Sequence, residues 1–356
     1  MLLVAAVVLA GCGGAAGTGA RATTSPGHTS SSSSSTPGAT VTRPAPSGQR
    51  SSAAPSGLWV SDVNANMVTD FHSPPASTPA TTFHTPVAHP DALAFDAQGN
   101  LWVGCGGSPP ASPAAILEYG AGGLARGSGP IATISNARDG FMVPEGLAFD
   151  GHGNLWVAGG TAVVELAAGS LGHNAPAAKV LTSPLVDGPA SLAFDGHGNL
   201  WVANYDNRVL LEHTARALAA PRPQPGAHVQ LPSGLTPVAM AFDASGQLWI
   251  AAKNDMVYEY SPSASGMTAS PVPPIDMGKF ISGGAADLAF DANGDLWVSA
   301  VGSSSSGAPE GMVYEYAART LGTTDTPSAA LVASTSSNPG TSALAFYPVV
   351  ASLGHL

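Results

Sequence analysis

Side chains that could do chemistry stand close together in one twelve-residue stretch of the chain. The stretch "LAFDGHGNLWVA" occurs twice without a change, at 147–158 and at 192–203. Each copy holds an aspartate, a histidine and an asparagine within five positions. Residues of these types serve as metal ligands and as acid–base catalysts. The duplication therefore raises the question whether the stretch is a repeated site or a repeated structural unit.

Three further copies of the pattern favour a structural unit. The position two residues after the aspartate is Gln98, His152, His197, Ser245 or Asn293, and a catalyst or ligand would not be interchangeable with serine and glutamine. An aspartate followed by a glycine three residues later is typical of a tight hairpin turn, because aspartate accepts backbone N–H groups and glycine adopts positive φ. We therefore interpret the aspartates as turn residues: Asp96, Asp150, Asp195, Asp243 and Asp291.

Two half copies of the pattern lie at the ends of the repeat region. The second half alone is "GLWVSD" at 57–62, and the first half alone is "LAFYPV" at 344–349. All six tryptophans of the protein occupy the same position of the repeat. Internal repetition of this kind predicts one fold made of equivalent units.

Each repeat continues with two more short apolar runs, which predict a third and a fourth strand. Four strands in a unit of about 50 residues are typical of a β-propeller blade. We predict an all-β, six-bladed propeller over 57–350, closed when the C-terminal inner strand pairs with the N-terminal outer strands. The predicted third strands are 68–71, 116–119, 163–166, 210–213, 257–260 and 313–316, and the fourth are 81–84, 131–134, 178–181, 228–231, 271–275 and 329–333.

Every third strand also carries an acid, and six acids could suggest a metal ring. Third strands lie in the outer half of a blade, and adjacent strands are about 4.8 Å apart, so these acids cannot converge on one ion. We expect them to form hydrogen bonds within their blades. They are Asp70, Glu118, Glu165, Glu212, Glu259 and Glu315.

The functional site of a propeller usually lies at one mouth of its central channel. The loops that enter the first strand and those that join the second strand to the third form that mouth, and here the repeats differ from one another. Carboxylate and amide oxygens near the axis could hold a divalent cation (Ca²⁺ or Mg²⁺) or a polar ligand. The candidate residues are Asp62, His89, Glu145, Asp187, Asn204, Asp206, Asp255 and Asp287, with Asp91 in the same group of loops.

The repeat resembles the units of NHL-repeat propellers, in which a strand ending in Ala-Val/Phe-Asp is followed by a Gly-Asn turn and a Tyr/Trp-Val strand. It is also similar to the streptogramin lyases and the gluconolactonase/regucalcin propellers. The second resemblance implies a metal held by Glu145, Asn204 and either Asp255 or Asp287, or a histidine beside acids, for which His89 is the candidate. The gluconolactonase Asn-Gly before the inner strand is Glu145-Gly146 in this chain.

The N-terminal sequence predicts a targeting signal followed by a linker. The apolar run that ends in Leu-Ala-Gly-Cys12 is too short to span a bilayer and matches the lipobox of bacterial lipoproteins. That resemblance implies a signal peptide over 1–12, lipid attachment to Cys12 and an extracytoplasmic protein anchored to the bacterial cell membrane. Residues 13–56 are rich in Ser, Thr, Pro, Gly and Ala and predict a disordered linker, and 351–356 form a short tail.

Charge excludes one class of partner. Residues 1–56 contain three arginines and no acid, so the remaining chain carries 23 acids against 12 − 3 = 9 bases, or −14. A phosphate backbone requires clustered Lys and Arg, so nucleic-acid binding is excluded. The two cysteines, Cys12 and Cys105, form no disulfide framework, and Cys105 is interpreted as a small buried thiol.

Three function classes remain. The first is an envelope-anchored module that binds, senses or scaffolds, with a protein, glycan or small molecule as ligand. The second is a metal-dependent lactonase or lyase with its site at the channel mouth. The third is a purely structural assembly protein.

Overall fold

The computed structural model describes residues 57–347 except 73, 75–77, 109–111, 136–142, 174–175, 182, 264–265, 271, 282–283, 304–308 and 335–339. These residues belong to a compact unit that spans 50–356. The predicted signal peptide with Cys12, the linker at 13–56 and the tail at 351–356 lie outside the described residues.

Six antiparallel sheets form the ring, which confirms the predicted six-bladed β-propeller. Blade 1 contains β25 (Thr341–Tyr347), β1 (Gly57–Asp62), β2 (Met67–Phe71) and β3 (Thr81–His84). Blade 2 contains β4 (Pro90–Phe95), β5 (Leu101–Cys105), β6 (Ala115–Tyr119) and β7 (Ala132–Ile134). Blade 3 contains β8 (Gly146–Phe149), β9 (Leu155–Gly159), β10 (Ala162–Leu166) and β11 (Lys179–Leu181).

The other three blades follow in chain order. Blade 4 contains β12 (Pro189–Phe194), β13 (Leu200–Asn204), β14 (Val209–His213) and β15 (Ala227–Gln230). Blade 5 contains β16 (Pro237–Phe242), β17 (Leu248–Ala252), β18 (Met256–Ser263), β19 (Gly266–Ala269) and β20 (Ile275–Asp276). Blade 6 contains β21 (Ala285–Phe290), β22 (Leu296–Ser303), β23 (Pro309–Tyr316) and β24 (Ala329–Ser334).

Helical structure in the described part is limited to single turns. Two α-helical turns, α1 (Ala121–Leu124) and α2 (Ala215–Leu218), lead from third to fourth strands. Three 3₁₀ turns cover Ala168–Ser170, Met277–Lys279 and Ala318–Thr320. No helix in this part of the chain is long and apolar enough to cross a membrane.

The ring closes within blade 1, as predicted. Strand β25 supplies the innermost strand and pairs antiparallel with β1, so that Gly57 lies opposite Tyr347 and Val60 opposite Leu344. This pairing joins the two ends of the propeller and removes two sheet edges that would otherwise be exposed.

The fourth strand of blade 5 differs from the prediction at 271–275. Two short strands instead pair with β18: β19 along its second half and β20 at Met256 and Val257. The prolines at 273 and 274 have no N–H to give to a ladder, which explains why the chain breaks between the two strands.

Aromatic side chains hold neighbouring blades together. The buried tryptophan on each second strand contacts the phenylalanine that ends the inner strand of the next blade, edge to face, with ring centroids 5.8 to 6.4 Å apart. Edge-to-face aromatic pairs add to the stabilisation from burial of apolar area. The six pairs are Trp59–Phe95, Trp102–Phe149, Trp156–Phe194, Trp201–Phe242, Trp249–Phe290 and Trp297–Phe346.

Candidate functional site

The propeller has two faces with different chemistry. We call the face that carries the turns between first and second strands the turn face. The opposite face, formed by the loops that enter the first strands and by those between second and third strands, is the mouth face.

On the turn face, the repeated aspartates organise the hairpins. Asp150 Oδ1 accepts hydrogen bonds from the backbone N–H groups of His152 and Asn154, both at 2.9 Å. Its Oδ2 accepts from Asn154 Nδ2 at 2.8 Å and from Trp156 Nε1 at 3.1 Å. The side chain of His152 is exposed and takes no part in these bonds.

The aspartate-to-tryptophan bond recurs in all five complete repeats, with distances of 3.0 to 3.3 Å. The sequence signal for it is the constant spacing of six residues. In blade 1, Tyr347 stands where the aspartate would be, and Trp59 Nε1 has no hydrogen-bond partner among the described residues.

The third-strand acids lie opposite these tryptophans, distributed around the ring. Glu118 pairs in register with Trp102 and accepts from Asn100 Nδ2 at 3.3 Å. Glu165 forms an ion pair with Lys179 at 2.6 Å. In the described portion of the chain, no group of three His, Cys, Asp or Glu side chains is arranged to hold a metal ion.

At the axis, the inner strands of all six blades line a cavity of about 140 Å³. Its charged lining residues are three acids on different blades: Asp91, Glu145 and Asp287. Most other residues at the corresponding positions are small, because six strands converge there: Ala92, Gly146, Ala190, Ser191, Ala239, Ala286, Ser342 and Ala343.

Asp91 and Glu145 sit on neighbouring blades at the mouth. A Cβ on Gly106 would lie 2.7 Å from Asp91 Oδ2, so the carboxylate rests against the backbone. Burial, followed by repulsion from Glu145, raises the pKa of Asp91 to about 6, although His89 and the Gly106 N–H act in the opposite direction. The carboxylates of adjacent blades therefore repel one another.

Asp206 places a third carboxylate beside these two, on blade 4. Its carboxylate packs against the Cα of Gly188, immediately before the inner strand of that blade. Partial desolvation and the Asp206 carboxylate raise the pKa of Glu145, whose side chain is largely exposed at the rim. We call Asp91, Glu145 and Asp206 the acid arc.

His89 flanks the acid arc in a fixed orientation. Its φ is +57°, its N–H donates to Asn66 Oδ1 at 2.8 Å, and its Nδ1 lies 2.7 Å from the Gly107 carbonyl oxygen. Because a carbonyl oxygen only accepts, Nδ1 carries the proton, and in the neutral ring Nε2 is the acceptor. The exposed ring thus presents one polar atom at the mouth.

Asp287 lies within the channel. Its Oδ1 accepts from the Leu288 N–H and its Oδ2 from the Leu344 N–H, both at 2.8 Å. Burial raises the pKa of Asp287 to about 7, against the effect of the two N–H groups. This carboxylate therefore contacts the backbone of two blades.

Two other predicted mouth residues stabilise loops. Asp62 is buried and accepts from the N–H groups of Asn64, Ala65 and Gly340 and from the Ser334 hydroxyl. Asn204, also buried, has both amide atoms bonded to backbone within blade 4: Oδ1 accepts from the Asp187 N–H and Nδ2 donates to the Val209 carbonyl.

The two remaining predicted residues, Asp187 and Asp255, belong to mouth loops of blades 4 and 5. Asp187 is exposed. Asp255 has a φ of +62° in the β17–β18 turn, and its carbonyl accepts from the Met277 N–H. The resemblance implies a metal held by Glu145, Asn204 and either Asp255 or Asp287. Two of these side chains instead form hydrogen bonds with backbone groups: Asn204 within blade 4, and Asp287 between blades 6 and 1.

Two features of the mouth face were not anticipated. Lys253 Nζ donates to the Tyr205 hydroxyl at 2.5 Å, which links the mouth loops of blades 4 and 5. The Ser191 hydroxyl joins the inner strands of blades 4 and 5, and the hydroxyl of Ser299, on the second strand of blade 6, donates to the Ser342 carbonyl on the inner strand of blade 1. A pair between residues 48 positions apart has no local sequence signal.

Cys105 ends β5 behind the acid arc and is fully buried. Burial and the neighbouring Asp91 raise the pKa of its thiol to about 12. Because the thiolate is the reactive form, this cysteine is a packing residue.

Comparison with known proteins shows the fold. No family model matches the sequence. No curated protein matches it either. Among solved structures, a protein of unknown function from Bacteroides caccae is 14% identical with a TM-score of 0.58, covering 82% of this chain and 98% of its own.

Two structures described as lactonases are similar to the same extent. The periplasmic gluconolactonase of Pseudomonas aeruginosa is 16% identical with a TM-score of 0.55, covering 82% of this chain and 98% of its own. A proposed 6-phosphogluconolactonase from Bacteroides fragilis is 13% identical with a TM-score of 0.54, covering 80% of this chain and 84% of its own. At these identities the likeness extends to the fold alone, and fold does not determine function.

Proposed function

We propose that the propeller is a non-catalytic binding module that takes a small, polar, positively charged ligand at the mouth of its channel. The observation that supports this most directly is the acid arc. Asp91, Glu145 and Asp206 approach one another on three consecutive blades, and within the described residues no lysine or arginine forms an ion pair with any of them.

Electrostatics explains why such a mouth attracts cations. Like charges at the rim of a cleft with low-dielectric walls create a negative potential that concentrates positive ligands. Burial and the neighbouring carboxylates raise the pKa of Asp91 and that of Glu145, although His89 and the Gly106 N–H partly offset the effect at Asp91. A bound ammonium group would supply a compensating positive charge and would lower both pKa values.

The surroundings of the arc add polar groups that could orient a ligand. His89 Nε2 and the Tyr205–Lys253 pair lie on the same face. A few fixed polar groups around a concave site are the usual means by which a binding protein selects a ligand.

The metal-dependent lactonase or lyase has less support from the site. Its expected ligand Asn204 is bonded to backbone through both amide atoms, and Asp287 accepts two backbone N–H groups. Tight binding of divalent ions at the mouth would therefore contradict our proposal.

We further propose that the module is held at the outer side of a bacterial cell membrane. The support is the sequence alone: the apolar run, the lipobox ending at Cys12 and the Ser/Thr/Pro-rich linker. Expression in a bacterium that processes lipoproteins should place the wild-type chain in the membrane fraction. A Cys12→Ser variant should appear in the soluble extracytoplasmic fraction, and an unchanged distribution would contradict the anchor.

Calorimetric titration tests the ligand class. We expect 1,4-diaminobutane to bind the wild-type domain, and succinate, a dianion of similar length, not to bind. An Asp91→Asn/Glu145→Gln variant should lose at least tenfold in affinity. A Glu212→Gln/Glu259→Gln variant, which removes two charges from outer strands, serves as the matched control and should bind as the wild type does.

Two results would overturn the proposal. One is equal binding of the diamine by both double variants, which would place the interaction elsewhere. The other is tight binding of Ca²⁺ or Mg²⁺ that only the mouth variant loses, together with hydrolysis of a lactone, which would favour the enzyme.

A further inference from the structure

The ring closes within blade 1, where β25 pairs with β1, and β25 is also bonded to the inner strand of blade 6. Strand β25 pairs with β1 on one side, and its other edge faces the channel and the inner strand of blade 6. Asp287 Oδ2 accepts the Leu344 N–H of β25 at 2.8 Å, while Oδ1 accepts the N–H of Leu288 in its own blade. One carboxylate therefore connects β25 to the inner strand of blade 6.

A second joint of the ring shows the same contact without a charge. Ser191 occupies the position of blade 4 that corresponds to Asp287 in blade 6, and its Oγ accepts the Met240 N–H of blade 5 at 3.1 Å. A neutral hydroxyl is thus sufficient to join two inner strands. The charge at Asp287 is an additional property of the joint that holds the closing strand β25 against blade 6.

Asp287 lines the cavity, and no lysine, arginine or histidine among the described residues forms an ion pair with it. Asp287 lines the same cavity as Asp91 and Glu145. In their described parts, the strands packed around it present no titratable side chain beside Asp287: β22 offers Ser299, β16 offers Val238 and Ala239, and β25 offers Ser342 and Ala343. The other carboxylates that line the cavity, Asp91 on blade 2 and Glu145 on blade 3, share its sign.

We propose that Asp287 couples occupancy of the channel to closure of the ring. An ionised carboxylate without a counter-ion is costly in a low-dielectric cavity even when it accepts two N–H groups, so the joint is weakest when the channel is empty and Asp287 is charged. A cation in the channel, or a proton on Asp287, removes the cost and leaves the Leu344 N–H bonded. The identity of the cation rests on the proposed function, but the coupling itself does not.

Hydrogen exchange of the Leu344 amide tests the coupling directly. At pH 8, saturation of the wild-type domain with 1,4-diaminobutane should slow exchange at Leu344 at least fivefold. The matched variant is Asp287→Ser, which introduces the hydroxyl that blade 4 uses. Its Leu344 amide should exchange at the same rate with and without the diamine, and the Met240 amide should respond to the diamine in neither protein.

A second arm uses the proton as ligand. The burial-raised pKa of Asp287, about 7 against 3.8 ordinarily, means that the folded state binds the proton more tightly than the unfolded state. Stability from this group is therefore lost as pH rises through 7. Between pH 5.5 and 8.5, protection of Leu344, corrected for intrinsic exchange, should fall in the wild type at least fivefold more than in Asp287→Ser.

The two arms separate the possible failures. If calorimetry shows that the diamine binds and Leu344 exchange does not change, the coupling is wrong while the proposed function stands. If the diamine does not bind, the proposed function fails, and the proton arm alone decides the coupling. Equal pH dependence of Leu344 protection in wild type and Asp287→Ser would overturn it.

Discussion

At the residue scale, the aspartate of the repeat does more than start a turn. Both of its oxygens are occupied, one by two backbone N–H groups and the other by the indole N–H of the tryptophan six residues later. The tryptophan then packs on the next blade. A single short side chain thus connects the local hairpin to the interface between blades, which explains why it is the same in five repeats.

Substitution of this aspartate should destabilise the domain. Asp195→Ala removes the acceptor of two backbone N–H groups, of Asn199 Nδ2 and of Trp201 Nε1. We expect the free energy of unfolding to fall by about 2–3 kcal/mol, because the buried indole donor would remain unpaired. Urea unfolding measures the loss.

The neighbouring histidine provides the control. His197 is exposed, and its side chain is replaced by Gln98 or Ser245 at equivalent positions. His197→Gln should change the free energy of unfolding by less than about 0.5 kcal/mol. A loss comparable to that of Asp195→Ala would assign the histidine a role that the hydrogen bonds do not show.

A second histidine should make the fold sensitive to acid. His213 is fully buried at the end of β14, and neither ring nitrogen has a hydrogen-bond partner in the described structure. Burial lowers its pKa from 6.5 to about 4. Between these values the unfolded state binds the proton more tightly, so stability present above pH 6.5 is lost as pH falls towards 4.

The contribution of His213 to the pH dependence of stability can be measured by comparing the wild type with a variant that lacks the titrating group. Replacement by phenylalanine, which blade 1 has at the equivalent position (Phe71), removes the titrating group. Relative to His213→Phe, the wild type should lose about 3 kcal/mol between pH 7 and pH 4. Parallel stability curves for the two proteins would show that His213 does not titrate on unfolding.

At the element scale, strand β25 is the one whose removal opens the ring. Its Ala343 N–H bonds to Ser61 Oγ and its Leu344 N–H to Asp287, so both of its edges are held by side chains as well as by the ladder with β1. The strand also supplies Phe346, the partner of Trp297.

Truncation should therefore affect the whole domain. A chain that ends at Thr341 lacks most of β25, and we expect the free energy of unfolding to fall by roughly 5 kcal/mol, since a large-to-small change at one core position alone costs 2–5 kcal/mol. Thermal unfolding by circular dichroism measures it. A chain that ends at Tyr347 keeps the strand and should melt with the full-length protein; equal melting of both truncations would refute closure by β25.

The strands also show how much of the fold the sequence alone predicts. The Phe and Trp positions recur at nearly constant spacing, which was sufficient to predict six blades and the closing pair. The fourth strand of blade 5 was placed wrongly, because an apolar run containing Pro273 and Pro274 resembles a strand although it cannot donate to one.

The site was predictable only in part, because repetition says nothing about residues that differ between repeats. Glu145 and Asp206 could be placed at the mouth by their loops. That Asn204 turns its amide to its own loop backbone, or that Asp287 bonds across a blade joint, depends on contacts between residues distant in sequence. The spacing of residues along the sequence does not predict contacts of this kind.

At the scale of the whole molecule, charge is unevenly distributed. The chain beyond residue 56 carries a net charge of −14, from 23 acids and nine bases, and the acid arc concentrates part of it at one opening. Long-range attraction and local contacts with a cation thus act in the same direction.

Ionic strength should therefore control affinity. We expect the dissociation constant for 1,4-diaminobutane to rise about tenfold between 20 mM and 500 mM NaCl, because the Debye length falls well below the dimensions of the mouth. Titrations in both salts measure it, with glucose, a neutral polyol, for comparison. An affinity that does not depend on salt would indicate that charge is not the basis of recognition.

The pairing of Gly57 with Tyr347 has a consequence for how the molecule is presented to its surroundings. Tyr347 contacts Gly99 in a hairpin of the turn face, so the first residue of β1 and the last of β25 leave the disc on the same side. A support attached directly at Gly57 or at Tyr347 would therefore meet the turn face. The acid arc lies on the opposite face, so a sensor chip coupled at either of these two residues would leave the mouth accessible to solution.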